Sequence, residues 1–100
     1  MESKLQKDCN KWLRDKDIMF IHDEKGRGKG RRHRAGVPDI IIIKKPVIFI
    51  ELKTATGKLS KEQLEYHHQL WELGFLVYTV KTIEEFIRTV ENTYGRYRGK

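Results

Sequence analysis

The stretch GVPDIIIIKKPVIFIELKT, Gly36 to Thr54, decides how this chain folds. Two β-branched runs, Asp39 to Ile43 and Val47 to Lys53, are joined by Lys44-Lys45-Pro46 and read as a hairpin of central strands. Most of it should be buried, yet it carries Asp39, Glu51 and Lys53. With a three-residue loop Ile43 faces Val47, and counting back along both strands sets Asp39 opposite Glu51. Opposed residues on one face hold their Cβ atoms roughly 4.5–5.5 Å apart. Lys53 lies two residues past Glu51 and shares that face. The face therefore runs Asp39, Ile41, Ile43 against Val47, Phe49, Glu51, Lys53, apolar at its closed end and charged at its open end. A one-residue slip in register would break the arrangement.

Working outward, Glu2 to Lys16 reads as a helix, with Leu5, Cys9, Trp12 and Leu13 on one face of a 3.6-residue period. Asp17 to His22 reads as a short strand. Beyond the hairpin, Ser60 and Gln63 fit a capping box, Leu59 and Leu64 its hydrophobic staple, and Gly74 a C-terminal stop. Phe75 to Val80 is a further strand, and Thr82 can cap a last helix whose Ile83, Phe86, Ile87 and Val90 face inward. The order α-β-β-β-α-β-α predicts an α/β fold. Its mixed four-stranded sheet has an antiparallel meander, one parallel crossover and flanking helices. No repeat or linker divides the chain, so residues 1–94 read as one domain and 95–100 as a basic tail.

One hundred residues support one core. A net charge of +7 points to a polyanionic partner, nucleic acid before an acidic membrane. The single cysteine, Cys9, excludes an intrachain disulfide and a zinc site built from cysteine pairs. No apolar signal core opens the chain, and the longest apolar stretch is too broken to span a bilayer. The expectation is a soluble cytoplasmic protein. Asp23 to Gly36 holds four glycines and six cations, Lys25, Arg27, Lys29, Arg31, Arg32 and Arg34. It lacks the Gly-Lys-Ser/Thr ending of a phosphate-cradling loop and lies between strands. Its composition suits contact with a phosphate backbone without base reading, or simply a solvated loop.

Two adjacent carboxylates repel, and burial sharpens the repulsion. Lys53 offsets one charge and a divalent cation the other. Magnesium is commonly held by one or two carboxylates with water and substrate phosphate. Such an ion polarises a phosphoryl oxygen and activates water, and a nearby ammonium stabilises the developing charge. This equipment suits metal-dependent hydrolysis of a phosphodiester. The plain alternative is a salt bridge at a strand end.

Pro38-Asp39 and Glu51-Leu52-Lys53 resemble the PD-(D/E)xK nuclease motif, on a restriction-endonuclease-like core. The closer likeness is to the VRR-NUC family, the virus-type replication-repair nucleases. Its G-x-P-D, E-x-K-T and L-S-x-x-Q elements are matched by GVPD, ELKTATGK and LSKEQ, and the likeness runs from Glu2 to Val80. It implies that Asp39, Glu51 and the backbone carbonyl of Leu52 bind Mg²⁺, with Mn²⁺ as a substitute. It makes Lys53 the catalytic lysine, Gln63 the family's helix glutamine and Glu2 a further acid at the metal. Gln63 shares a helix face with Tyr66, Leu70 and Leu73, so it points inward, but its capping role competes for the same amide. Glu2, inward on the first helix, is equally a first-turn acid favoured by the dipole. His67 and His68 are adjacent and cannot both face one metal, so they read as surface or partly packed residues. His22 and His33 flank the basic segment, where they could touch phosphate. Trp12 and Trp71 read as packing.

The resemblance further implies a homodimer acting on Holliday junctions or other branched DNA, in DNA repair, phage genomes included. A two-fold pair supplies two sites for two symmetric cuts. Two other readings stand beside it: a nuclease-like module that binds nucleic acid without cutting, and a restriction-type enzyme with a short recognition site.

Overall fold

The computed structural model describes residues 3–23 and 36–95. Helix α1 spans Lys4–Asp15, strand β1 Phe20–His22, β2 Ile40–Ile42, β3 Ile48–Leu52, helix α2 Lys61–Glu72, strand β4 Leu76–Val80 and helix α3 Ile83–Gly95. The sheet order is β1-β2-β3-β4. β1, β2 and β3 form an antiparallel meander, and α2 crosses over to bring β4 parallel to β3. This is the α/β fold the sequence implies.

The hairpin register is the expected one. Ile40 pairs with Ile50, Ile41 with Phe49 and Ile42 with Ile48, which sets Asp39, just before β2, against Glu51. Side chains alternate across a strand, so the even-numbered residues of β2 and β3 face one way. Ile40, Ile42, Ile48 and Ile50 are fully buried in one cluster with Cys9 and Leu13 of α1, Val80 of β4, and Phe86, Val90 and Tyr94 of α3. Trp12 packs edge-on to Phe86, ring centroids 6.0 Å apart. The odd-numbered face, with Ile41 and Phe49 half-buried, carries Glu51 and is the side of α2.

Two features differ from the expectation. The first strand begins at Phe20, because Asp17 takes a left-handed backbone conformation, φ 60°, and closes α1. Its N–H reaches the Arg14 carbonyl and that of Ile18 the Leu13 carbonyl, which satisfies carbonyls left over at the helix end. Second, α2 buries Leu70 alone among its residues. Trp71 is 67% exposed and Leu73 74%, so both face outward, contrary to their packing roles, and Leu64 is exposed as well. No helix among the described residues is long and apolar enough to cross a membrane.

Candidate active site

The open end of the hairpin gathers the charged residues. Asp39 leads into β2, and its Oδ2 accepts a 2.7 Å bond from the Leu52 N–H, one residue past Glu51. The Asp39 carbonyl accepts from the N–H of Asp23 at 2.9 Å, so β1 is tied to the same point. Lys53 continues β3, its N–H bonded to the Val80 carbonyl at 3.0 Å. Its stem runs beside the Thr54–Gly57 turn, where Cδ lies 3.6 Å from the position a Gly57 Cβ would take.

Glu51 is 1% exposed and is held from α2. Gln63 Nε2 donates to its Oε2 at 3.0 Å, and His67 Nε2 lies 3.4 Å from its Oε1. A carboxylate can only accept, so His67 Nε2 carries the hydrogen. An amide and an imidazole one helical turn apart thus hold the Glu51 carboxylate. Sequence reasoning set His67 aside because it sat beside His68. The signal was the four-residue step from Gln63, which puts both side chains on one helix face. His68 is exposed and contacts Glu72 at 3.1 Å.

The two roles weighed for Gln63 do not compete. Its Oε1 accepts from the Ser60 N–H at 2.8 Å while Ser60 Oγ accepts from the Gln63 N–H at 3.1 Å, completing the capping box. Its Nε2 is thereby turned to Glu51. Gly36 fixes the helix start. Its φ is +91°, and a Cβ there would lie 2.7 Å from the Glu62 carbonyl carbon and 3.1 Å from Gln63 Cα. The glycine of GVPD therefore lets the chain pass against the first turn of α2.

Glu2, His33 and the basic residues Lys25, Arg27, Lys29, Arg31, Arg32 and Arg34 lie outside the described residues. The described ends of that segment are both at the site: Asp23 is bonded to Asp39, and Gly36 lies against α2.

The donors at this end are oxygens: two carboxylates, with the Leu52 carbonyl between Glu51 and Lys53. That set suits a hard cation completed by water and phosphate. Among the described residues no group of three or more His, Cys, Asp and Glu could hold a metal, so a closed cage of side chains is not what this end offers.

No family model and no curated protein matches this sequence. Solved structures do. One named "VRR_NUC domain" covers 91% of this chain and 95% of its own at TM-score 0.68 and 22% identity. The chain has the VRR_NUC fold. Another structure, named "VRR_NUC domain protein", covers 76% of this chain and 67% of its own at TM-score 0.63 and 22% identity. At that identity the likeness is one of fold, and it agrees with the expected resemblance. Within the VRR_NUC fold, the chemistry rests on the residues described here.

Proposed function

We propose that the protein is a metal-dependent, structure-selective endonuclease that hydrolyses DNA phosphodiester bonds, with Holliday junctions or other branched DNA as substrate. The observation that carries this reading is the buried carboxylate Glu51, held by Gln63 and His67 in register with Asp39 at the open end of the sheet. A structural salt bridge at a strand end does not require two helix residues to orient the acid.

Asp39 and Glu51, with the Leu52 carbonyl and Glu2, would hold Mg²⁺, and Mn²⁺ would substitute. Bound there, the ion would polarise a phosphoryl oxygen and lower the pKa of a water. Gln63 and His67 fix the orientation of the Glu51 carboxylate. Asp39 is fixed by the Leu52 N–H. Lys53 brings its ammonium to the same end, where it stabilises negative charge developing on the phosphate. Asp23 and Gly36, the described residues on either side of Lys25 to Arg34, lie at the site, which supports a phosphate-backbone role for those cations.

Homodimer formation belongs to the same proposal. Leu64, Trp71 and Leu73 on and after α2, with Phe75 and Leu76 beside them in sequence, leave apolar surface exposed next to the site-bearing helix. Such surface is commonly a contact. A two-fold pair would bring two sites to one junction.

The test is incubation of the full chain with labelled four-way junctions, flaps and linear duplex, in Mg²⁺ and in EDTA. Mg²⁺-dependent cutting of branched substrates supports the reading. Binding to every substrate with none cut would make the protein a binding module, and cutting of long duplex at fixed sequences a restriction-type enzyme.

A further inference from the structure

A cavity lies at the closed end of the hairpin, away from Asp39 and Glu51. It opens between the C-terminal ends of α1 and α3 and the loop that joins β2 to β3. Its volume is about 430 Å³, within the range of small-molecule pockets. Trp12 and Tyr94 give it aromatic walls, and Lys16, Lys44 and Glu91 bring charge to the same space.

Both rings are fixed. Trp12 packs edge-on to Phe86 with ring centroids 6.0 Å apart, and the Tyr94 hydroxyl donates to the Pro46 carbonyl at 2.6 Å. Each ring has an ammonium above it. Lys16 Nζ is 5.7 Å from the Trp12 ring centroid, and Lys44 Nζ is 5.1 Å from that of Tyr94. Among the described residues neither lysine has an ion-pair partner, and nor does Glu91. An ammonium over a ring at the surface is held weakly, so both cations can turn to an anion that enters beside the rings.

These groups set three demands on a ligand. The rings favour a flat body of low polarity. The ammonium groups favour an anion. The carboxylate can only accept hydrogen bonds, so the ligand must carry donors as well. Inorganic phosphate has no flat body. An aromatic acid without hydroxyl or amino groups would leave Glu91 facing a like charge. A nucleotide has all three parts: a base, a phosphate and sugar hydroxyls.

We propose that this cavity binds a free nucleoside monophosphate. Its base packs against Trp12 and Tyr94, its phosphate is met by Lys16 and Lys44, and its sugar hydroxyls donate to Glu91. The cavity and the open end of the hairpin share no residue, so the proposal stands whether or not the protein cuts DNA.

The chain has two tryptophans, so Trp71→Phe leaves Trp12 as the sole indole, placed in the cavity wall. The experiment titrates that full-length variant with adenosine monophosphate, adenosine, inorganic phosphate and an oligonucleotide bearing a terminal phosphate, following Trp12 fluorescence. EDTA is present throughout, which keeps a metal-held phosphate at the other end of the sheet out of the reading. Adenosine monophosphate should change the signal saturably and bind more tightly than adenosine or phosphate. Replacing both exposed lysines, Lys16→Ala with Lys44→Ala, should weaken it roughly ten- to hundredfold, the usual worth of a hydrogen bond to a charged group. Glu91→Ala should weaken it as well. Gly95 lines the cavity, and a Cβ there would meet nothing within 4 Å, so Gly95→Leu should obstruct the ligand and leave the fold intact. The absence of a saturable response to adenosine monophosphate overturns the proposal. So does unchanged affinity in the double lysine variant, or adenosine or phosphate binding as tightly as the nucleotide. A response to the oligonucleotide alone would show that the cavity takes a strand end and not a free nucleotide. Tighter binding by Glu91→Ala would show that the carboxylate only repels the anion, and it too would sink the assignment.

Discussion

Gln63 puts the two ends of one amide to separate uses: its oxygen caps α2 through the Ser60 N–H, and its NH₂ holds Glu51. The cap therefore aims the Gln63 amide at Glu51. Ser60→Ala and Gln63→Ala should each lower stability by about 1 kcal/mol, as the loss of a helix cap does. Cleavage should separate them, falling strongly for Gln63→Ala and mildly for Ser60→Ala. Thermal unfolding and cleavage rates on the same two variants check this, and equal rates would reduce Gln63 to a cap. At this scale the sequence was partly legible. Asp39, Glu51 and Lys53 could be placed by counting, because strand alternation is rigid. His67 was legible in principle from its spacing to Gln63 and was obscured by His68. The burial of Gln6 and Asn10, bonded to each other and through Asn10 to His22 of β1, was not legible, because an apolar stripe carries no sign of polar residues bonded to a distant strand.

The hairpin and α2 are the elements on which the site depends. Register was readable because β2 and β3 carry charges at one end only and a loop of fixed length at the other. The inward face of α2 was misjudged, because Trp71 and Leu73 match helical spacing while Leu70 suffices to pack it on the sheet. Gly36 shows how the two elements are kept in contact. Gly36→Ala combines a left-handed backbone that a side chain disfavours with a collision against the first turn of α2. It should destabilise by about 1–3 kcal/mol and loosen the Gln63–Glu51 contact. Urea unfolding reads the first effect, and a midpoint no lower than that of the unsubstituted protein would show that α2 is free to move away.

Across the whole molecule the core lies between the sheet and the pair α1 and α3, and two ionisable groups sit within it. Burial pushes the Cys9 thiol up to about 12, with the charges of Asp8 and Asp39 adding to the effect. Burial, then Tyr78, does the same for Tyr94, whose hydroxyl donates to the Pro46 carbonyl at 2.6 Å. Unfolded, these groups ionise near about 8.5 and 10. The folded state then holds protons that the unfolded state has released, so stability should be level below about pH 8.5 and fall steadily from there toward pH 12. Urea midpoints measured from pH 7 to 11 test this, and a flat profile would mean that both groups are open to water. The +7 charge was legible as a sign of a polyanionic partner, whereas the exposed apolar surface at α2 emerged only once the helix was seated.

The central claim is that Glu51 serves the chemistry of cutting and not the grip on DNA. The direct measurement is binding and Mg²⁺-dependent cleavage of one labelled four-way junction by the unsubstituted protein and by Glu51→Ala. Cleavage should be lost while binding is retained or tightened, because a negative charge near phosphate has been removed. Equal loss of binding and cleavage, or cleavage that survives the substitution, would contradict it.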